Sequence, residues 1–311
     1  MKAIRYNRFG APDVLELLDV DIPEIADDQV LIRVAGTAHN SLDAKIRSGD
    51  LAGVIPVQLP HTPSLDVAGR IEAIGAAVTA WHEGDEVIGF LPIVEDGAAA
   101  GFVAAPADVL AAAPRGVALS DAAALPSSAL TAWQALTEHG EIAGRRVLIN
   151  GAGGGVGGYA VQLAAALGAH VTAVAGPRSH EAVRRFGADD VVDYTSTDVT
   201  GLDPRSFALV VNLVTVPGPT SPRLTELVAD RGAVVTTTFP VPGDPSRDVD
   251  SVALFVRSDA TQLAELAARV EQHALDLNIT GRYPLAELSR VHALDAAGAL
   301  HGRTVVVPDS E

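Results

Sequence analysis

With 311 residues, a formal net charge of -17 and no cysteine, the chain has no means of forming disulfides or thiolate metal sites. Its acidity also argues against nucleic acid or an anionic membrane as a bulk partner, because neutralising phosphates takes clustered Lys and Arg. A hydrophobic content of 48% with 20% charged residues excludes a disordered chain and describes a soluble α/β protein, at a length where two cores are the default.

The N-terminus, Met1-Lys2-Ala3-Ile4-Arg5-Tyr6, lacks an apolar leader and no run approaches membrane length, so a cytoplasmic protein is expected. The first third reads as short strands between turns: Val14 to Val20, Gln29 to Val34, Val67 to Gly75 and Glu86 to Phe90. Past Pro114 the period changes, and Ala122 to Leu136 carries apolar residues at helical spacing. From Val147 to about Thr238 strands and helices alternate, which predicts a parallel sheet with right-handed crossovers. Its strands are Val147 to Asn150, His170 to Ala175, Asp190 to Asp193, Phe207 to Leu213 and Gly232 to Thr238. The tail predicts a helix over Ala260 to Gln272, a strand near Leu277 to Ile279, a helix over Pro284 to Leu300 and a last strand, Thr304 to Val307.

The strongest local signal is Val147-Leu148-Ile149-Asn150-Gly151-Ala152-Gly153-Gly154-Gly155-Val156-Gly157-Gly158, a buried strand that breaks into glycines and resumes as a helix. Such a turn suits a dinucleotide pyrophosphate: the helix start offers unpaired NH donors and partial positive charge, and glycines admit the phosphates closely. About 20 residues on, a dinucleotide fold usually places an acid on the adenosine ribose. Here Val171 to Ala175 runs into Gly176-Pro177-Arg178-Ser179-His180, with no carboxylate at the tip. Arg178 and Ser179, with His180 and Arg184 nearby, are donors suited to a 2′-phosphate, which favours NADP(H) over NAD(H). The plain structural alternative is that the arginines only solvate a helix face.

In Ser41-Leu42-Asp43-Ala44-Lys45-Ile46-Arg47-Ser48-Gly49, Pro63-Ser64-Leu65-Asp66-Val67-Ala68-Gly69, Gly84-Asp85-Glu86-Val87, Leu130-Thr131-Ala132-Trp133-Gln134-Ala135-Leu136 and Gly187-Ala188-Asp189-Asp190-Val191-Val192-Asp193-Tyr194, nearly end to end, the chain resembles the zinc-free quinone oxidoreductase branch of the medium-chain dehydrogenase/reductase superfamily. Ala152-Gly153-Gly154-Gly155-Val156-Gly157 is similar to that branch's A-x-x-G-V-G, while G-x-G-x-x-G also fits at Gly153, Gly155 and Gly158; both registers stay open. The resemblance implies an α/β protein: a GroES-like catalytic domain over residues 1–118 completed by 259–311, a Rossmann doubly wound domain over 119–258, NADPH in a cleft at their junction, and a homodimer. It implies that Asn40 and Thr131 flank the nicotinamide and that Gly154, Gly155, Val156 and Gly157 meet the pyrophosphate. Arg178, Ser179 and Tyr194 then lie near the 2′-phosphate, and Leu213, Val214 and Phe239 border the nicotinamide riboside. Without the resemblance, Thr131 reads as a helix hydroxyl bonded to a carbonyl, and Tyr194 and Phe239 as core.

Zinc-dependent relatives carry Cys where this chain has Asn40, and a His-Glu pair near Ser64 and Asp66; His39, His61 and Asp66 could in principle supply three N/O ligands, but no metal is expected. The chemistry implied is hydride transfer from NADPH to a quinone or an α,β-unsaturated carbonyl, where hydrogen-bond donors stabilise the oxyanion. Asn40, Ser41, Lys45 and Thr131 are the candidate donors, with Lys45 chosen as proton donor and His61 and Asp66 behind; Asp43 reads as a local cap or ion-pair partner. The stretch Gly97-Ala98-Ala99-Ala100-Gly101-Phe102-Val103 suggests a substrate side sparse in polar groups. Two proline-rich stretches, Pro217 to Pro222 and Phe239 to Pro245, are candidate walls. An enoyl-thioester or biosynthetic tailoring reductase, and a silent NADPH-binding sensor or structural protein, are the alternatives.

Overall fold

The computed structural model describes residues 1–215 and 221–308, with the backbone alone at Ser221 and Pro222; Pro217 to Thr220 lie outside the described residues. In chain order they form β1 (Lys2–Arg5), β2 (Glu16–Asp19), β3 (Gln29–Ala38), α1 (Ser41–Ser48), β4 (Asp66–Ile74), β5 (Glu86–Phe90), β6 (Phe102–Pro106) and β7 (Leu110–Ala112). Then follow α2 (Leu119–Ala122), α3 (Pro126–Thr137), β8 (Arg146–Asn150), α4 (Gly155–Ala166), β9 (His170–Ala175), α5 (His180–Arg185), β10 (Asp190–Asp193) and β11 (Phe207–Asn212). The remainder is α6 (Ser221–Leu227), β12 (Val228–Thr236), β13 (Asp250–Ala253), α7 (Ala260–Glu271), β14 (Ile279–Pro284), α8 (Leu288–Ala296) and β15 (Arg303–Val307). No helix among the described residues is long and apolar enough to cross a membrane.

Two compact units result: Met1–Ser127 with Ser258–Glu311, and Ser128–Arg257. Where the sequence suggests a boundary after residue 118, residues 119–127 fall with the first unit. There α2 packs on β3 and β4, so closely that a Cβ on Gly36 would lie 2.5 Å from the Ser120 carbonyl oxygen. The first unit is GroES-like. Its seven-stranded sheet runs β14-β15-β3-β4-β5-β7 with β6 also on β3, antiparallel apart from the β14 and β15 pair. Alternating burial along β3 puts Val30, Ile32 and Val34 into a core with Val67, Ile71 and Val87. A second cluster joins Ile4 and Tyr6 to Leu285, Leu288 and Val306, so the chain's two ends share one core.

The second unit is Rossmann-like: six parallel strands in the order β10-β9-β8-β11-β12-β13. β11 is buried along its whole length, as a strand covered on both faces must be. The order reverses between β8 and β11, and ligands of such sheets lie outside the carboxyl ends of the strands at that point.

Of the element boundaries that differ from the sequence reading, three have local reasons. β12 begins at Val228 because Phe207 pairs with it, and Gly232 lies inside the strand, where a Cβ would meet the Ala208 carbonyl oxygen at 2.6 Å. The strand expected near Leu277 to Ile279 starts at Ile279, after Asn278 with φ of 50°. The last helix starts only at Leu288, behind a 3-10 turn over Leu285–Glu287, and stops at Ala296 before the left-handed Gly298.

Candidate functional site

In the second unit the glycines have separable tasks. Gly151, at φ of 95°, turns the chain out of β8, and a Cβ there would sit 2.7 Å from Val214 Cγ1. A Cβ on Gly153 would meet Ser179 Oγ at 2.6 Å, and one on Gly157 would lie 2.2 Å from the Gly151 carbonyl oxygen. Gly154 is the exposed N-cap of α4 and puts no side-chain cap on the helix; a Cβ there would come no closer than 3.4 Å to its nearest neighbour, the Gly151 carbonyl oxygen. The NH groups of Gly155, Val156 and Gly157 therefore begin a helix with no intrahelical acceptor, and the first bonded NH is that of Gly158, to Gly154. An anion fits against this turn.

At the next strand end, Arg178 is exposed while Ser179 is buried against Gly153. Tyr194 follows β10 with its ring 3.1 Å from where a Gly176 Cβ would stand, yet it is 62% exposed, which removes the core-packing alternative. His180 Nε2 lies 3.1 Å from the Ala175 carbonyl oxygen. The nearby Asp193 carboxylate accepts from the Thr195 NH and hydroxyl, which hold it below the usual carboxylate range.

Beside these, a buried polar network unforeseen in the sequence fixes the third part of the edge. Asn150 Nδ2 donates to Asn212 Oδ1 at 2.8 Å, and Asn212 Nδ2 donates to the Val214 carbonyl oxygen at 2.9 Å. Thr238 Oγ1 donates to that same oxygen at 3.1 Å, Thr236 Oγ1 donates to the Phe239 carbonyl oxygen at 3.3 Å, and the Leu213 NH reaches Asn150. The available signal was a polar residue closing each apolar strand: Asn150, Asn212 and Thr236. Phe239 is 67% exposed, so it too is no core residue. Among the described residues of this unit the large exposed apolar side chains, Tyr194, Val214, Phe239 and Phe255, all follow the carboxyl ends of β10 to β13. Apolar groups concentrated on one edge mark a binding surface.

Thr131 lies one turn beyond Ser127 on α3 and is buried. In the first unit, Asn40 caps α1: its Oδ1 accepts from the Leu42 NH at 2.9 Å and its Nδ2 donates to Ser127 Oγ at 3.1 Å. Ser127 in turn donates its NH (2.6 Å) and hydroxyl (2.7 Å) to the buried Asp66 carboxylate, which pairs with Arg303 Nη2 at 2.9 Å. Arg303 also donates to the Ala124 and His39 carbonyl oxygens, so it closes a ring around the Asn40 amide and fixes its orientation. Burial raises the Asp66 carboxyl, and Arg303 and Ser127 pull it back.

Lys45 is exposed on α1. Among the described residues Asp43 is neither a cap nor an ion-pair partner: it is buried, Oδ1 accepts from the Ser64 NH at 3.0 Å, and burial raises its carboxyl to about 7. Gly97 to Ala100 are also buried, and a Cβ on Gly97 would strike the Ser64 carbonyl oxygen at 2.3 Å. The lack of polar groups in that stretch reflects close packing and says nothing about a substrate surface. Asp66 is committed to Ser127 and Arg303, His39 faces Asp295 and His61 faces Asp96. Among the described residues no group of three or more His, Cys, Asp or Glu is placed to hold a metal ion.

A family model described as alcohol dehydrogenase GroES-like domain matches residues 26–115, and one described as zinc-binding dehydrogenase matches residues 186–306. The chloroplast envelope quinone oxidoreductase homolog of Arabidopsis thaliana is 31% identical over 324 residues, covering 99% of this chain and 98% of that protein. The chain belongs to the zinc-free quinone oxidoreductase branch of the medium-chain dehydrogenase/reductase superfamily. Within the family, the NADPH-dependent alkenal/one oxidoreductase of Arabidopsis thaliana is 30% identical, covering 99% of this chain and 80% of that protein. The match to the spinach quinone-oxidoreductase homolog, 38% identical, spans 64% of that protein's length. The solved quinone oxidoreductase from Coxiella burnetii superposes with a TM-score of 0.90 at 27% identity, covering 99% of both chains.

Proposed function

We propose that this NADPH-dependent oxidoreductase reduces a quinone or the C=C bond of an α,β-unsaturated carbonyl. The reading rests above all on the carboxyl edge of the parallel sheet, where a glycine turn with no room for a Cβ at Gly151, Gly153 or Gly157 meets a row of exposed apolar residues. These groups fit a dinucleotide: Gly154, Gly155, Val156 and Gly157 hold the pyrophosphate, Arg178 and Tyr194 the 2′-phosphate end, and Leu213, Val214 and Phe239 the nicotinamide riboside. Ser179 supports this set from beneath Gly153. Bound NADPH supplies the hydride. Asn40 and Thr131 orient the reacting groups, and the amide of Asn40 is held ready by Ser127. A donor fixed in this way lowers the barrier to oxyanion formation because it needs no reorganisation.

The test is NADPH oxidation followed at 340 nm with 1,4-benzoquinone and with a 2-alkenal. Turnover with either, lost together with binding in Gly157→Asp, supports the reading; tight NADPH binding with no turnover across a broad panel including enoyl thioesters would sink it. Arg178→Ala is expected to cut the ratio of NADPH to NADH affinity about tenfold to a hundredfold, since charge-assisted hydrogen bonds contribute about 1.5–3 kcal/mol. An unchanged ratio would remove Arg178 from the site.

A further inference from the structure

Three chain segments close into a ring at α1. Tyr6, just after β1, and His61, in the loop before β4, exchange backbone hydrogen bonds: the Tyr6 NH donates to the His61 oxygen at 3.0 Å and the His61 NH to the Tyr6 oxygen at 2.9 Å. Gly10 ties the first of these segments to α1, because its NH donates to the Arg47 carbonyl oxygen at 3.0 Å and its own carbonyl oxygen accepts from Arg47 Nη1 at 2.6 Å. Asp43 ties α1 to the loop, its Oδ1 accepting from the NH of Ser64, which stands at φ of 84°. Each pair of segments is thus bonded directly.

Nine buried side-chain polar atoms among the described residues have no hydrogen-bond partner, and three of them belong to the residues that close this ring: Tyr6 Oη, Asp43 Oδ2 and Arg47 Nε. The three residues are buried, so bulk water does not reach those atoms. Asp43 and Arg47 stand one helical turn apart on the same face of α1. The Tyr6 hydroxyl feels both, Asp43 raising its pKa and Arg47 lowering it, and burial pushes it up furthest, so it keeps its proton. Arg47 meets no carboxylate at salt-bridge distance among the described residues; its Nη2 reaches only the Ala44 carbonyl oxygen, at 3.5 Å. Donors and acceptors left dry in one place are costly, and a small neutral molecule that both gives and takes hydrogen bonds relieves all three.

We propose that Tyr6 Oη, Asp43 Oδ2 and Arg47 Nε bind one internal water molecule, which anchors α1, the helix that Asn40 caps. Arg47 Nε only donates, whereas the Tyr6 hydroxyl and the Asp43 carboxyl can each give or take a hydrogen bond. With Asp43 ionised, the water accepts from Arg47 and Tyr6 and donates to Asp43. With Asp43 protonated, it accepts from Arg47 and Asp43 and donates to Tyr6. Either way it makes three bonds, the usual number for a buried water. An ion suits the site less, because the Arg47 guanidinium repels a cation and an ionised Asp43 repels an anion. The site is independent of the function proposed above.

The test has two arms. A crystal structure of the full chain at about 1.5 Å should show one water within hydrogen-bonding distance of all three atoms. A direct bond among Tyr6, Asp43 and Arg47, separate waters on them, an ion, or a dry site would overturn the proposal. In the second arm Tyr6→Phe removes the hydroxyl alone, and the sign of its effect separates a wet site from a dry one. A hydroxyl bonded to water contributes to stability, so the variant should lower the folding equilibrium constant about twofold to tenfold, read from urea unfolding. A dry hydroxyl already burdens the folded state, so an unchanged or raised constant would count against the water.

Discussion

Arg303 and Asp66 show how much a single buried pair governs. Asp66 is fully buried and accepts three hydrogen bonds, so removing Arg303 strands a carboxylate in the interior. Arg303→Met is expected to cost about 3–5 kcal/mol in denaturant unfolding, the scale for breaking a buried pair, and Asp66→Asn with Arg303→Met should cost clearly less than the two single changes combined. Additive costs would show that the two residues act separately. Asp66 was visible in the sequence as a possible metal ligand and as a polar group behind the candidate donors, and Arg303 not at all. Their meeting joins positions 237 residues apart, which no local pattern encodes.

The elements that position the site differ in how far their own residues specify them. The glycine turn and α4 are local: Gly151, Gly153 and Gly157 each occupy a place that a Cβ would fill, so composition alone announces the turn. α7 is equally legible, with Leu263, Leu266, Ala267 and Val270 on its buried face and Asp259 as N-cap accepting from the Gln262 NH at 3.0 Å. Asp259→Ala is expected to lower stability by about 0.5–2 kcal/mol at unchanged helix content, read as a shifted denaturation midpoint. An unshifted midpoint would mean that the cap is replaced by solvent. By contrast the Asn150, Asn212, Thr236 and Thr238 network spans three strands, β8, β11 and β12, and exists only once the sheet sets them side by side.

At the scale of the molecule, pH acts through buried groups of opposite sign, Asp43 and His292 among them. Asp43 titrates near 7 in the folded chain against 3.8 unfolded, so the folded state holds a proton that the unfolded state has lost between those values. Its contribution is complete at low pH and declines as pH rises through about 7. His292 is pushed from 6.5 to about 2, so its contribution is lost as pH falls below 6.5. Between about pH 4 and 6.5 the two slopes oppose each other, each about 1.4 kcal/mol per pH unit. Asp43→Asn should therefore make stability climb with pH across that window relative to wild type, and parallel curves for the two proteins would disprove the assignment. β10 and β13 are the two edges of the parallel sheet, and an open edge offers unpaired backbone groups to a second copy. Light scattering is expected to give twice the mass of one chain; a monomer at micromolar concentration would refute the homodimer.

The sequence alone determined the α/β class, the dinucleotide turn, the acid-free strand tip at Arg178 and the family, because each is written in contiguous residues whose spacing is physically constrained. Only the tertiary structure decided that Tyr194 and Phe239 lie exposed at the sheet edge, that Gly97 to Ala100 are interior, and that Asp43 is a buried acid. It alone brought Arg303, Asp66 and Ser127 around Asn40, and Asp295 beside Ser41 and His39. Burial and long-range pairing depend on which surfaces the whole chain covers, and a residue's neighbours in sequence do not specify its neighbours in space.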